Sequence, residues 1–594
     1  MNIKATGKVS SIMIFCHLTN LTMNLGLAIF VFILFAGHSV LTEASQLRKD
    51  VRPNVIFILT DDQDLHMNSL NYLPYVKKHL TDQGTYFKKH YCTVAICCPS
   101  RVNLWTGRAA HNTNVTDVSM PYGGYPKIVQ EKILDNYLFT WLEDAGYANY
   151  YVGKLFNQHT ITNYDSPFPK GFTEHDFLLD PGTYQYYNSW FQRNNLPPAN
   201  HKGEYQTDLV ANKTYGFLDT AVGNGKPFLL VTAPTAPHAN IANGAFGEPL
   251  PASRHETLFK DAIVPRTANF NPENPSGASW IKGLPRQNKT NVDYNDHFYR
   301  QRLRSLQAFD EMVDGLFERL ERYGILENTY IIYTTDNGFH IGHHRMQPGK
   351  ECGYEEDVNI PLIIRGPDVP KAKTANFVTS HTDLAPTILE LIGSPTRPDF
   401  DGQAIPLTDH GIHEAEYNRQ EHVNVEFWGN PIPEGIYGLE TYPHTNHTFK
   451  SLRITGKSYN LYYSVWCTKE HELYNMKTDP HQLHNLYGAD GNLCGVTVRK
   501  LTSRLDSLLL VLKSCKGDSC RYPWKTLHPE GNVQNLEDAL NARYDTFYEG
   551  QPRVGFERCE LGYILSAEGP QFQRDGKVFK QVAQTRWSDL VPIA

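Results

Sequence analysis

The chain has 594 residues, 40% of them hydrophobic, and a formal net charge of -7. That length buries a large core and suggests two or three domains. The mild charge and the absence of any Lys/Arg run exclude the electrostatic footprint of a nucleic-acid binder.

The first element concerns destination. Lys4 and Lys8 precede an apolar run of twelve residues, Leu25 to Ala36, followed by small residues and charge. Twelve matches a signal-peptide core and falls short of the roughly 20 that a spanning helix needs. Residues 1–45 therefore read as a signal peptide, cut after Ser39 or Ala44, and no stable membrane anchor is expected. A signal anchor is the alternative, because Ile12 to Phe15 is also apolar. Export agrees with glycosylation acceptors at Asn114, Asn212, Asn288 and Asn446. Besides Cys16 and Cys97, eight cysteines remain: Cys92, Cys98, Cys352, Cys467, Cys494, Cys515, Cys520 and Cys559. An even set suits disulfides, with Cys515–Cys520 the obvious local pair and Cys98 expected to have a partner. The rest of the connectivity stays open.

Asn54 to Thr60 is a continuous apolar run ending in Asp61 and Asp62. Ala148 to Val152 ends in Gly153-Lys154, Phe228 to Thr232 leads to His238, and Thr329 to Thr335 ends in Asp336-Asn337. Runs without polar alternation suit strands of a parallel sheet buried on both faces. Helical patterns over Asn136 to Ala145, His297 to Tyr323 and Asp383 to Ile392 alternate with them, which predicts an α/β fold. In such sheets ligands bind beyond the carboxyl ends of the strands, so these polar residues should converge on one edge. After residue 410 the texture changes. Val423 to Trp428, Lys450 to Ile454, Asn460 to Cys467 and Glu472 to Asn475 read as short antiparallel strands, the middle two joined around Gly456-Lys457. A helix follows with Val498, Leu501, Leu505, Leu508 and Leu512 on one face. The expected organisation is 46–410 as the larger domain and 411–594 as a smaller α+β domain with a cysteine-rich tail.

Cys97-Cys-Pro-Ser-Arg-Val-Asn-Leu-Trp-Thr-Gly-Arg108 carries the chemistry. Pro99 suits a first helical turn, which places Cys97 at a helix N-terminus that favours anions. The segment resembles the signature of the type I sulfatases of the alkaline-phosphatase-like superfamily, through Cys97, Pro99, Ser100, Arg101, Leu104, Thr106 and Gly107. The resemblance implies a mostly parallel sheet flanked by helices. It also implies that a formylglycine-generating enzyme oxidises Cys97 to formylglycine (3-oxoalanine). Its hydrate then offers one hydroxyl to attack sulfur and another to help expel sulfate.

The same resemblance turns Asp61, Asp62, Asp336 and Asn337, with residue 97, into a calcium site. Oxygen donors of this kind suit that hard cation. Gly146-Tyr-Ala-Asn-Tyr-Tyr-Val-Gly-Lys154 is similar to the second family signature and makes Lys154 a sulfate ligand. Pro237-His238 resembles the element whose histidine protonates the leaving oxygen. Lys350, in the segment from Asp336 to Lys350, matches the lysine that binds sulfate and stabilises the leaving group. Many family members have a histidine two residues after the first lysine, where this chain has Phe156, followed by Asn157. The Gly-Lys-x-x-Asn variant is similar to the glucosamine-6-sulfatase and fungal or algal arylsulfatase branch, and adds Asn157 to the substrate-binding set. His340 is the candidate replacement for the missing base. Asp64 matches no ligand and is expected to be structural.

The resemblance implies an aryl sulfate as substrate, with a 6-sulfated amino sugar as the alternative. A phosphoester hydrolase on this fold, which commonly has Ser or Thr as nucleophile, is disfavoured by the cysteine signature. An inactive secreted binding protein is disfavoured by the intact set of site residues. The expected location is extracellular, with a lysosome or vacuole as the other destination. The oligomeric state is not legible.

Overall fold

The computed structural model describes residues 52–438, 446–572 and 587; the expected signal peptide and its cleavage sites lie outside them. A ten-stranded mixed sheet dominates. Its strands are β1 (Asn54–Thr60), β2 (Thr85–Tyr91), β3 (Ala148–Lys154), β4 (Glu174–Leu178), β5 (Asn188–Arg193), β6 (Ala199–Lys202), β7 (Phe228–Ala233), β8 (Thr329–Thr335), β9 (Leu362–Arg365) and β10 (Lys373–Ser380). The order is β10-β2-β9-β8-β1-β7-β3-β4-β5-β6. The central block β8-β1-β7-β3-β4 is parallel throughout. These strands are the four apolar runs and a neighbour, and all seven residues of β1 are buried.

Alternation along β1 explains the layers. Val55, Phe57 and Leu59 point to one face, Ile56 and Ile58 to the other. The first face packs on α1 (Cys97–Thr106), α2 (Leu138–Asp144) and, later in the chain, the helix at Leu384–Leu391. The second packs on α3 (Gln206–Asn224) and α4 (Lys289–Arg322), through Phe217, Leu306, Phe309, Val313 and Leu316. Helix α4 starts earlier than the periodicity predicts, because Asn288 caps it: its side chain accepts from Asn291 N at 3.0 Å. No helix among the described residues is long and apolar enough to cross a membrane.

The second sheet is antiparallel, with strands β11 (His422–Phe427), β12 (Phe449–Thr455), β13 (Asn460–Trp466) and β14 (His471–Asn475) in that order. Val498–Leu512 forms the expected amphipathic helix against it, with Leu501, Leu505, Leu508 and Leu512 buried among Leu452, Leu461, Val465 and Leu473. The Cys515–Cys520 disulfide is present, and Cys467 pairs with Cys559. Cys98 corrects the expectation of a partner: it is unpaired, as are Cys92, Cys352 and Cys494. The second residue of α1 is fully buried in the apolar cluster that also holds Leu104, Trp105 and Phe156, where it acts as a small hydrophobe.

A buried ion pair joins the short helix Ala110–Thr113, which follows α1, to the second sheet. His111 Nδ1 lies 2.8 Å from Glu426 Oε1 on β11, and its Nε2 bonds the Cys515 carbonyl at 2.8 Å. Both ring nitrogens face acceptors. Burial opposes the charge, yet Glu426 holds the His111 pKa above its usual value. Glu426 is pushed up by burial, but His111 and Lys450 outweigh this and hold it at about 2. A raised histidine stabilises the fold fully below its unfolded pKa and loses that contribution as pH rises through the folded value. His111→Gln is therefore expected to destabilise by about 3 kcal/mol at pH 5.5, the scale of a broken buried pair, and by less at pH 9. Thermal unfolding across that range checks it. A gap between wild type and variant that stays constant with pH contradicts the assignment.

Candidate active site

Four adjacent parallel strands deliver the polar residues. Asp61 and Asp62 follow β1, Asp336 and Asn337 follow β8, Lys154 ends β3, and His238 lies just past β7. All of them are buried. Asp61, Asp62, Cys97 and His238 each place a donor atom within 4.8 Å of the others. The convergence predicted from strand ends is what the sheet produces.

Cys97 is the first residue of α1, and Ile96 caps that helix without a side-chain hydrogen bond. The helix therefore presents free backbone N–H groups to the site. Gly107 ends it at φ 66°, and a Cβ there would stand 2.6 Å from the Phe400 ring, which explains the glycine in the motif. Cys97 Sγ lies 3.4 Å from Asp61 Oδ1 and 3.5 Å from Lys350 Nζ. Burial pushes its thiol well above the usual range, against the pull of Lys154 and Lys350. An unmodified Cys97 is thus a protonated thiol and a poor nucleophile.

Asp336 anchors the loops. Its Oδ1 accepts from the backbone N–H groups of Asp62 and Asn337, both at 3.0 Å, and its Oδ2 accepts from Arg101 Nε at 2.8 Å. Burial raises its pKa, but Arg101, Lys154 and Lys350 outweigh this and hold it far below the carboxylate range. Arg101 also donates to the Lys154 carbonyl at 2.5 Å and stands 3.6 Å from Asp61. It organises β3 and β8 rather than pointing at an open pocket. Asp62 is held in the left-handed region at φ 64°. Such a conformation costs about 1–3 kcal/mol in a non-glycine residue and persists only under surrounding restraint. Here Asp336 takes its N–H, and Arg302 donates to its carbonyl. Gly338 follows because a Cβ there would meet the Glu356 carbonyl at 2.1 Å.

Lys154 Nζ donates to Asp61 Oδ2 at 2.6 Å, and Lys350 Nζ to both Asp62 oxygens at 2.7 and 2.6 Å. Burial and the neighbouring Asp336 push Asp61 up to about 7, against Lys154 and Arg101. His238 Nδ1 bonds the Ala239 carbonyl at 2.7 Å, and its Nε2 faces Asp62 Oδ2 at 3.5 Å. Burial takes His238 down to about 4, although Asp62 pulls the other way. It is neutral near pH 7, with the Nδ1 proton fixed on a carbonyl and Nε2 free to carry a proton when negative charge enters. Asp64 accepts from Ser69 N and pairs with Arg302 at 3.3 Å, as expected of a structural carboxylate.

His340 stands outside this cluster. Its Nδ1 bonds Asp357 at 2.8 Å, and its backbone pairs with Gly349, next to Lys350. Asn157 Nδ2 donates to Tyr184 Oη at 2.7 Å, while its Oδ1 is buried without a partner. The ring of Tyr184 lies 4.3 Å from that of His238 and 4.8 Å from Lys154 Nζ. Tyr184, Arg302 and Glu434, which lies 3.3 Å from Lys350 Nζ, are site residues that sequence reading did not assign. Tyr184 opens the aromatic Tyr184–Phe191 stretch, whose composition marks it in the sequence as a candidate pocket-forming loop without assigning any one residue a role.

The donors fit a hard divalent cation. Three buried carboxylates and the Asn337 amide supply only oxygen, and Asn337 Oδ1 is buried with no hydrogen-bond partner. Three carboxylates face Arg101, Lys154 and Lys350 in near balance, so a dication would leave the pocket positive.

Comparisons with known proteins agree. The sulfatase family model matches residues 53–394, and the C-terminal model of N-sulphoglucosamine sulphohydrolase matches residues 342–509. An arylsulfatase of Volvox carteri is 38% identical over 88% of this chain and 83% of its own length. The human N-acetylglucosamine-6-sulfatase is 28% identical over 80% of this chain and 86% of its own. The structure of BT4656 with its substrate D-glucosamine-2-N,6-O-disulfate superposes with a TM-score of 0.60 at 23% identity, covering 74% of this chain and 94% of that one. The fold is therefore the alkaline-phosphatase-like fold, and the chain belongs to the sulfatase family as a hydrolase of sulfuric esters.

Proposed function

We propose that this enzyme cleaves sulfate esters with a formylglycine made from Cys97, beside a calcium ion held by Asp61, Asp62, Asp336 and Asn337. The observation that carries the reading is the meeting of Cys97, a helix N-terminus, two lysines and four oxygen donors in one buried pocket. Calcium would supply Lewis acidity and balance charge on the ester oxygens. The hydrated aldehyde of residue 97 would supply the hydroxyl nucleophile that a buried thiol cannot.

The other residues divide the work. Lys154 and the N–H groups of α1 bind the sulfate oxygens, and Arg101 fixes Asp336 and the end of β3. An anionic ester beside His238 favours a proton on Nε2, which His238 passes to the departing oxygen while Lys350 balances its charge. His340, held by Asp357, steadies the Gly349-Lys350 segment and is the candidate base for sulfate release.

The first reading of the substrate is an aryl sulfate, as the name of the algal relative suggests. A 6-sulfated amino sugar is the second reading, favoured by the free Oδ1 of Asn157. Maturation requires a formylglycine-generating enzyme and export through the 1–45 segment. Glycans at Asn212, Asn288 and Asn446 fit the exposure of these residues, whereas the half-buried Asn114 commits its amide to Glu131 at 2.7 Å. The proposed division is a catalytic domain to residue 410 and a C-terminal domain beyond it.

Peptide mass spectrometry across Cys97, paired with hydrolysis of 4-nitrophenyl sulfate, tests the mechanism. The expected result is an aldehyde at position 97 and turnover lost in Cys97→Ala. An unmodified thiol in protein from a host that converts other sulfatases would sink the reading.

A further inference from the structure

Lys350 has one carboxylate more than it needs. Its ammonium is already paired with both oxygens of Asp62 at 2.6 and 2.7 Å. Glu434, on the segment after β11, adds a second partner, with Oε1 3.3 Å from the same nitrogen. Its other oxygen, Oε2, is buried with no hydrogen-bond partner among the described residues, and the residue is 2% exposed. An unsatisfied carboxylate oxygen in a closed pocket is expensive and calls for a donor. A carboxylate beside a sulfate-binding lysine also repels the anion, so anion binding does not account for it.

The segment is fastened where it matters. Glu434 N donates to the Pro348 carbonyl at 2.8 Å, and Ile432 N donates to Glu351 Oε2 at 2.5 Å. These clips lie on both sides of Lys350. Glu434 is also close enough for its charge to act on both Lys350 and His238. Those are the two groups proposed to serve the leaving oxygen, so Glu434 borders the place of the alcohol rather than that of the sulfate.

We infer that the free oxygen of Glu434 accepts a hydrogen bond from a hydroxyl or amide N–H on the leaving alcohol, so that the physiological ester is a sulfated saccharide rather than a simple phenol. A sugar presents such donors around its sulfated carbon, and a phenyl ring presents none. A site built to bond a substrate donor discriminates strongly against an analogue that lacks it. The inference rests on the sulfatase reading and chooses between its two alcohol classes.

The test uses the full-length, aldehyde-bearing enzyme with calcium, and compares kcat/KM for N-acetylglucosamine 6-sulfate and 4-nitrophenyl sulfate. Glu434→Ala is expected to lower the sugar-to-aryl ratio by about 10- to 100-fold, the worth of a charge-assisted hydrogen bond. Glu434→Gln keeps the shape and an acceptor oxygen, and should fall between wild type and Glu434→Ala. It also guards against misfolding of the alanine variant. A ratio unchanged in both variants overturns the inference and makes Glu434 a positioning residue for Lys350. Wild-type turnover of the aryl ester alone overturns it too. Turnover of neither ester overturns the sulfatase mechanism and this inference with it.

Discussion

Lys350→Ala is expected to lower kcat for a sulfate ester by about 10²- to 10³-fold, the usual consequence of removing one fixed positive group from developing negative charge. The geometry explains why the loss is large. Lys350 Nζ stands 3.5 Å from Cys97 Sγ and is buried, so its charge acts through little solvent. The role proposed for it on the leaving oxygen has its own signature. A phenol with electron-withdrawing groups carries its negative charge unaided, whereas an alkyl alcohol does not. The loss in Lys350→Ala should therefore be smaller for 4-nitrophenyl sulfate than for an alkyl or sugar sulfate, and steady-state kinetics over a leaving-group series measures this. Equal losses across the series would reassign Lys350 to sulfate binding alone. Lys350→Arg keeps the charge but brings a larger planar group into a closed pocket, so only partial recovery is expected.

The residues that sequence reading found share a physical reason. Asp61, Asp62, Asp336, Asn337 and Lys154 each end or follow a continuous apolar run. Parallel topology then carries the ends of neighbouring strands to one edge. Cys97 was legible because helix-start chemistry and a seven-position motif coincide there. The residues it missed come from long-range packing. Glu434 is a lone charged residue in the Pro- and Gly-rich stretch after β11 and acquires meaning only when Pro348 and Glu351 clip that stretch beside Lys350. Tyr184 gains a role only once its ring lies on His238. Arg302 looks like one more polar position on a long helix until it reaches the Asp62 carbonyl.

The fold shows the same division. Central strands announce themselves by composition, because both faces are buried. The strands β5 and β6 at one end of the sheet do not. Ala199–Lys202 is polar and largely exposed, with one ladder partner, so no apolar run marks it. Strand β2 hides for a related reason: Lys88 and Lys89 interrupt Thr85–Tyr91, although Phe87 and Tyr91 are buried. Cys98 shows the limit of counting cysteines. An even number in an exported chain suggests pairs, but a sulfur pointing into packed aliphatic and aromatic side chains has no second sulfur to meet.

Asp336→Asn should abolish turnover to within about 10³-fold of background and weaken calcium binding by at least about 100-fold, the upper end of what supporting groups around a metal contribute. The substitution conserves volume but not hydrogen-bond polarity. Asp336 accepts from three donors: the N–H groups of Asp62 and Asn337, and Arg101 Nε. An asparagine keeps one acceptor oxygen and turns an N–H₂ group toward a donor whichever way it lies. If the oxygen stays with the backbone N–H groups, the amide faces Arg101. If it turns to Arg101, the amide faces the N–H of Asp62, which is held at φ 64° partly by that bond. Either way Arg101 or the Asp61-Asp62 loop loses its support, and one negative charge leaves the proposed cation site. Calorimetric calcium titration beside kinetics separates the two effects. Weak calcium binding with activity restored at high calcium would make Asp336 chiefly a ligand. Normal calcium affinity with activity still lost would remove Asp336 from the cation site and leave its hold on Arg101 and Asp62 as its contribution.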